Sequence, residues 1–138
     1  MLTGRKISTN FVSNLKFTEF TVFILNFLKN ILKISDDDMF KIEISLREVI
    51  NNAIIHGNKS DPKKRVFLDF EWENRRLRLI VTDQNTEVVD FKEINERINS
   101  KDVLSLNGRG ILIMNNYMDK VDFSNIESGT RVVLEKAV

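Results

Sequence analysis

The stretch Ser35–Gly57, SDDDMFKIEISLREVINNAIIHG, decides how the chain is read. Ser35 is a capping residue, and the aspartates behind it bring negative charge to a helix start, where free amides and the helix dipole favour it. Met39, Ile42, Leu46, Val49, Ile50 and Ala53 then recur at three- and four-residue spacing, forming one apolar stripe for a core. Gly57 followed by Asn58 reads as the stop of this helix. Glu48 and Asn52, four residues apart, stand one above the other on a face away from the stripe.

Upstream, Phe20, Phe23, Ile24, Phe27, Leu28, Ile31 and Leu32 follow Thr18 at helical spacing and predict an amphipathic helix with these residues as its apolar side. Lys33 near its end suits the negative pole of the dipole. Before it, Arg5 to Leu15 reads as a first strand leading into a turn. Downstream, Ser60-Asp61-Pro62 is a turn holding the only proline. Val66, Leu68, Phe70 and Trp72 alternate with polar residues, Glu73-Asn74-Arg75 turns the chain, and Leu77, Leu79 and Val81 alternate again, which predicts an antiparallel hairpin.

After Asp83 comes a polar stretch of roughly two dozen residues, long enough to demand a function or a short helix of its own, expected over Phe91 to Ile98. Gly108-Arg109-Gly110 opens a further helical segment, Ile111 to Met118, and two strands follow, Lys120 to Phe123 and Thr130 to Leu134, joined near Ser128-Gly129. No repeat or linker interrupts the pattern, so residues 1–138 are expected to form a single domain. The order strand, helix, helix, hairpin, loop, helix, hairpin predicts an α+β fold, helices layered on one face of a mainly antiparallel sheet.

Composition excludes several classes of function. With 138 residues, 42% hydrophobic and 30% charged, the chain can bury a core and is neither disordered nor fibrous. Lys and Arg number 21 against 20 Asp and Glu, so no global charge calls for a nucleic acid or an anionic membrane. The absence of cysteine excludes disulfides, thiolate metal sites and cysteine nucleophiles, and the single histidine excludes multi-histidine metal sites. The apolar run Phe20 to Leu32 carries Asn26, Lys29 and Asn30 and falls short of the ~20 residues a membrane span needs. No secretory signal pattern opens the chain, and the expected location is the cytoplasm.

Four places can carry chemistry, each with a plainer reading beside it. Glu48 and Asn52 are either a solvated polar pair or a proton acceptor beside an amide oxygen that ligates a hard cation such as Mg²⁺. Asn51 and Asn52 are weak helix formers in mid-helix, a local cost that often marks a functional site. His56 complements the carbonyls at the helix end, with catalysis as the lesser reading. Gly108-Arg109-Gly110 is either an ordinary turn or an anion cradle of amides at a helix start, with the arginine adding charge. Asp83, closing the second hairpin strand, is either a turn former or an acceptor for a purine amine. Thr130 behind Gly129 either favours its strand or offers a hydroxyl to the same pocket.

Taken in order, these segments resemble the nucleotide-binding boxes of the histidine-kinase-like ATPase superfamily, most closely the bacterial anti-sigma factor serine kinases. Glu48 to Gly57 resembles the E-x-x-x-N-A-x-x-H-G box, Gly108-Arg109-Gly110 with the helix after it resembles the second glycine box, and Gly129-Thr130 resembles the late G-T pair. The similarity runs from the first helix to the last strand, and the length is that expected of a free-standing member. The resemblance implies a two-layer α/β sandwich with a mixed, mostly antiparallel sheet. It implies ATP and Mg²⁺ as ligands, Glu48 as general base for a serine on a partner, Asn52 as the magnesium-holding residue, and Asp83 with Thr130 at adenine. Gly108 and Gly110 would anchor a lid over the triphosphate, with Arg109 near phosphate. Implied partners are a sigma factor, an anti-anti-sigma antagonist and a second copy in a homodimer, with no direct nucleic acid or membrane.

One box departs from the pattern. Where relatives carry D-x-G, this chain reads Asp83-Gln84-Asn85, and Asn85 is the expected stand-in for glycine because asparagine tolerates left-handed backbone. Two alternatives therefore stand beside an active kinase: a pseudokinase that only switches partners, and an ATPase domain serving another assembly.

Overall fold

The computed structural model describes residues 4–92 and 106–138. Its elements are β1 (Arg5–Val12), α1 (Lys16–Leu32), α2 (Asp36–Asn52), β2 (Arg65–Glu73), β3 (Arg76–Thr82), α3 (Leu106–Tyr117), β4 (Lys120–Ile126) and β5 (Gly129–Ala137). The expected α+β order holds. The helix expected over 91–98 falls, beyond residue 92, outside the described residues.

The five strands lie in the order β1-β2-β3-β5-β4, and every pairing among them is antiparallel, with no parallel pair of the mixed sheet expected. The reason is the last hairpin. A strand delivered by a helical crossover and laid directly against β3 would run parallel to it, but β4 turns back and β5 takes that place. One core row, Ile7, Phe70, Leu79, Leu134 and Val121, crosses all five strands in register. Strand alternation sends Lys6, Glu71, Arg78, Glu135 and Lys120 to the opposite, uncovered face. The β2–β3 turn is made by Asn74 (φ 49°) and Arg75 (φ 64°), two left-handed residues that match the twist of the flanking strands.

The three described helices cover the other face, with α2 between α1 and α3. Ser35 caps α2 by accepting the Asp38 amide at 3.1 Å, and Met39, Ile42, Leu46, Val49, Ile50 and Ala53 are buried as their spacing predicts. Helix α1 departs from its expected orientation. Phe20, Phe23, Phe27 and Ile31 are 44%, 71%, 56% and 52% exposed, and the buried residues are Thr18, Thr21, Val22, Leu25 and Leu28. Two ties to α2 fix the rotation: the Thr18 hydroxyl donates to Asn51 Oδ1 (2.7 Å) and Arg47 pairs with Glu19, while the buried Thr21 hydroxyl is satisfied within α1 by the Thr18 carbonyl. Asn51, costly in mid-helix, is thereby accounted for as a tie between helices. None of the described helices is long and apolar enough to cross a membrane.

Beyond Asn52 the helix widens into a π turn, Ala53–Gly57, closed by the Asn58 amide on the Ala53 carbonyl at 2.8 Å. The left-handed residues that end it are Lys59 and Ser60, not Gly57, so the expected glycine cap is replaced by a later one.

Candidate functional site

Gly57 is needed for a different reason. A Cβ there would lie 2.0 Å from Asp83 Oδ2, and a Cβ at Gly129 would lie 1.9 Å from the Asp83 carbonyl oxygen. Two glycine backbones therefore close on one residue, Gly57 on the Asp83 carboxylate and Gly129 on its main chain, nearer than a side chain at either position would permit. Asp83 is fixed between them: its amide donates to the Thr130 carbonyl (3.0 Å), and its Oδ1 accepts the amides of Thr130 (3.0 Å) and Asn85 (2.9 Å). Burial pushes the Asp83 pKa above its ordinary value, against the pull of the Asn85 and Thr130 amides and the charge of Lys64.

Thr130 is 8% exposed, and its hydroxyl oxygen is the one buried side-chain polar atom without a hydrogen-bond partner among the described residues. Such an orphan is rare in a folded protein and marks a place for a ligand or water. Thr130 lines a cavity of about 250 Å³ together with Val49, Ala53, Val81, Ile111, Met114 and Val132, and Asn52, His56, Asp83 and Asn85 are also on its wall. An apolar slot with a few convergent polar groups is suited to a flat heteroaromatic ring. A larger cleft of about 560 Å³ opens far from these groups along β1, β2 and β3. Its Lys6, Glu71, Arg78 and Glu135 are paired with one another, which leaves less for a ligand to satisfy.

Glu48 and Asn52 project from the regular part of α2. Both are half-buried, and neither side chain has a hydrogen bond among the described residues. A Cβ on Gly110 of α3 would lie 2.3 Å from Glu48 Oε2, so the bare glycine lets the second helix approach the carboxylate. No cluster of three or more His, Asp or Glu able to hold a metal occurs among the described residues. A lone Asn52 carbonyl oxygen fits Mg²⁺, which keeps most of its shell as water and phosphate oxygen and takes one or two protein ligands.

The sequence-derived residues thus fall into two neighbouring groups: Asp83, Asn85 and Thr130 with Asn52 around the cavity, and Glu48 against Gly110 beside it. Gly108 and Arg109 lie in the first turn of α3, and most of the expected lid before them lies outside the described residues. His56 is exposed, in the π turn. The expectation that Asn85 adopts left-handed backbone is corrected: its φ is negative. Its side chain instead accepts the Glu87 amide at 3.0 Å, an Asx turn that makes the bend without glycine.

Three features escaped sequence reasoning. Phe91 and Phe123 stack with ring centroids 5.4 Å apart on the cavity rim. Asn125 bonds the Val89 amide (3.1 Å) and carbonyl (2.9 Å), fastening the loop after β3 to β4. The wholly buried Asn58 bonds three segments at once. The signal for Phe91 was an aromatic residue inside a polar stretch; the two asparagines gave none beyond their turn-forming type.

Residues 18–136 match the histidine kinase-like ATPase domain family. Among curated proteins, the chain is similar to the anti-sigma F factor of Geobacillus thermodenitrificans, 33% identical over 74% of this chain and 71% of that one. It is also similar to those of Geobacillus stearothermophilus, 34% identical over 73% and 70%, and Shouchella clausii, 31% identical over 72% and 70%.

Proposed function

The chain belongs to the histidine kinase-like ATPase family, and on that footing we propose that it is an ATP-binding anti-sigma factor and serine-protein kinase. It sequesters a sigma factor and phosphorylates an anti-anti-sigma antagonist on serine or threonine. The single observation that carries the nucleotide half is the unpartnered Thr130 hydroxyl beside the amide-held Asp83 carboxylate in an apolar cavity. The exposed row Phe20, Phe23, Phe27 and Ile31 supports the partner half, since an apolar helix face of that length favours a protein cover. A homodimer belongs to the same reading.

The roles follow from chemistry. Asp83 accepts a hydrogen bond from the adenine amine and Thr130 adds its hydroxyl, while the apolar wall holds the ring. Asn52 would offer its carbonyl oxygen to the magnesium, and Gly108, in the first turn of α3, has an amide suited to phosphate oxygens, while Arg109 and Gly110 continue the helix. When bound, ATP would supply the γ-phosphoryl group and Mg²⁺ would offset its charge. Glu48 takes the proton of the attacking hydroxyl as its oxygen bonds phosphorus and ADP departs. The Asx turn at Asn85 speaks against a pseudokinase, because the glycine-free box bends without strain.

The test is phosphotransfer from Mg-ATP to the antagonist, with Glu48→Gln abolishing transfer while ATP binding stays within about threefold, since the amide removes the base and little else. Continued transfer by that variant would refute the base assignment, and no ATP binding at millimolar concentration would return the reading to a partner-switching module alone.

A further inference from the structure

We infer that Asn58 is a positioning residue for the base pocket, holding the loop that carries Asp83 at the angle nucleotide recognition needs. The inference rests on the nucleotide reading above. Asn58 is 0% exposed, and its carboxamide is satisfied by three separate parts of the chain. Its Oδ1 accepts the Gln84 amide (2.8 Å), and its Nδ2 donates to Ser13 Oγ (2.9 Å) and the Arg65 carbonyl (3.0 Å). Ser13 Oγ in turn donates to the Lys64 carbonyl at 2.7 Å.

The position of Gln84 gives this network its meaning. Asp83 is held on one side by β5, through the bonds with Thr130. On the other side the next amide along the chain belongs to Asn58, and the Gln84 side chain itself accepts the Arg65 amide at 2.7 Å. The carboxylate is therefore set from both flanks, with Gly57 beneath it leaving no slack. Without a glycine to define the bend, this chain fixes it with amide side chains, and Asn58 is the buried one. Removing its acceptor leaves the Gln84 amide unpaired and frees the loop to tilt, moving Asp83 relative to the cavity wall.

The experiment measures Mg-ATP and Mg-GTP affinity by calorimetry, with thermal stability in parallel, for the wild type, Asn58→Ala, Asn58→Asp and Ser13→Ala. Asn58→Ala is expected to lower the ATP-over-GTP affinity ratio about tenfold. Asn58→Asp keeps an acceptor for Gln84 and should hold the ratio while losing stability. Ser13→Ala should likewise lose stability without touching the ratio, as a purely structural contact does. An unchanged ratio in Asn58→Ala, with ATP bound by the wild type, overturns the positioning role alone; a wild type that binds neither nucleotide overturns the nucleotide reading and this inference with it. Should Asn58→Ala not fold, amide exchange of Gln84 in the wild type decides: protection supports the role, and exchange at the solvent rate overturns it.

Discussion

Gly110→Ala separates stability from chemistry in a direction few substitutions do. Gly110 lies inside α3, where alanine is the better helix former by about 1 kcal/mol. The added Cβ would meet Glu48 Oε2 at 2.3 Å and Cδ at 3.1 Å, against an ordinary contact of 3.4–4 Å. The obstacle is the far end of a half-buried, flexible side chain, which yields by rotating out of its preferred well at about 0.5–1.5 kcal/mol. Gain and cost nearly cancel, so the melting temperature should stay within about 4 °C of wild type. The carboxylate, however, must retreat by about 1 Å, and a displacement of that size costs on the order of 10²-fold in rate. Thermal melts beside a phosphotransfer time course test both halves. Transfer within about threefold of wild type, at unchanged stability, would refute the reasoning that the glycine exists to let α3 meet a working base. Gly129→Ala is the contrasting control: its Cβ meets the Asp83 main chain at 1.9 Å, which cannot swing aside, and the fold itself should suffer.

Thr130→Val removes the unpartnered hydroxyl and should leave the nucleotide-free protein as stable or up to about 1 kcal/mol more so, while weakening ATP binding about fivefold by calorimetry. Burial holds the Asp83 pKa above its ordinary 3.8, so the folded state binds that proton more tightly than the unfolded one. This stabilisation is full below 3.8 and fades as pH rises through the raised folded value. Asp83→Asn should consequently stabilise the nucleotide-free protein at pH 7, with the difference closing in acid denaturation curves below 3.8. Phe23→Ser, at a site 71% exposed, should shift stability by no more than about 0.5 kcal/mol yet weaken complex formation with the sigma factor on size exclusion.

Legibility in the sequence followed the range of the interactions. Helix α2 was readable because one cap, one charge cluster and one apolar stripe agreed. Helix α1 was readable as a helix but not as to its face: Phe20, Phe23 and Phe27 compete with Val22, Leu25 and Leu28 at the same period. The choice is made by Thr18 and Asn51, which are 33 residues apart. The hairpins declared themselves through alternation, whereas the placing of β5 against β3, with β4 at the sheet edge, depends on partners that no local pattern names. At the site, Glu48 and Asn52 drew notice by residue type and spacing, whereas Asp83 and Thr130 drew their roles from the resemblance to the family's boxes. Why Gly57 and Gly129 must be glycines appears only when Asp83 is brought between them, and Asn58 looked like a helix stop until its burial was known.

The π turn at Ala53–Gly57 has an evolutionary corollary. It acts as a one-residue spacer between two halves of a single segment, so the half bearing Glu48 and Asn52 keeps its phase with α3 while the half bearing Gly57 is phased to β3. A lineage whose substitutions straightened this turn into regular helix, its five residues kept, would turn everything after it by roughly 100°, move Gly57 away from Asp83 and bring a side chain under that carboxylate where none fits. Such a lineage would lose its nucleotide before it lost its shape.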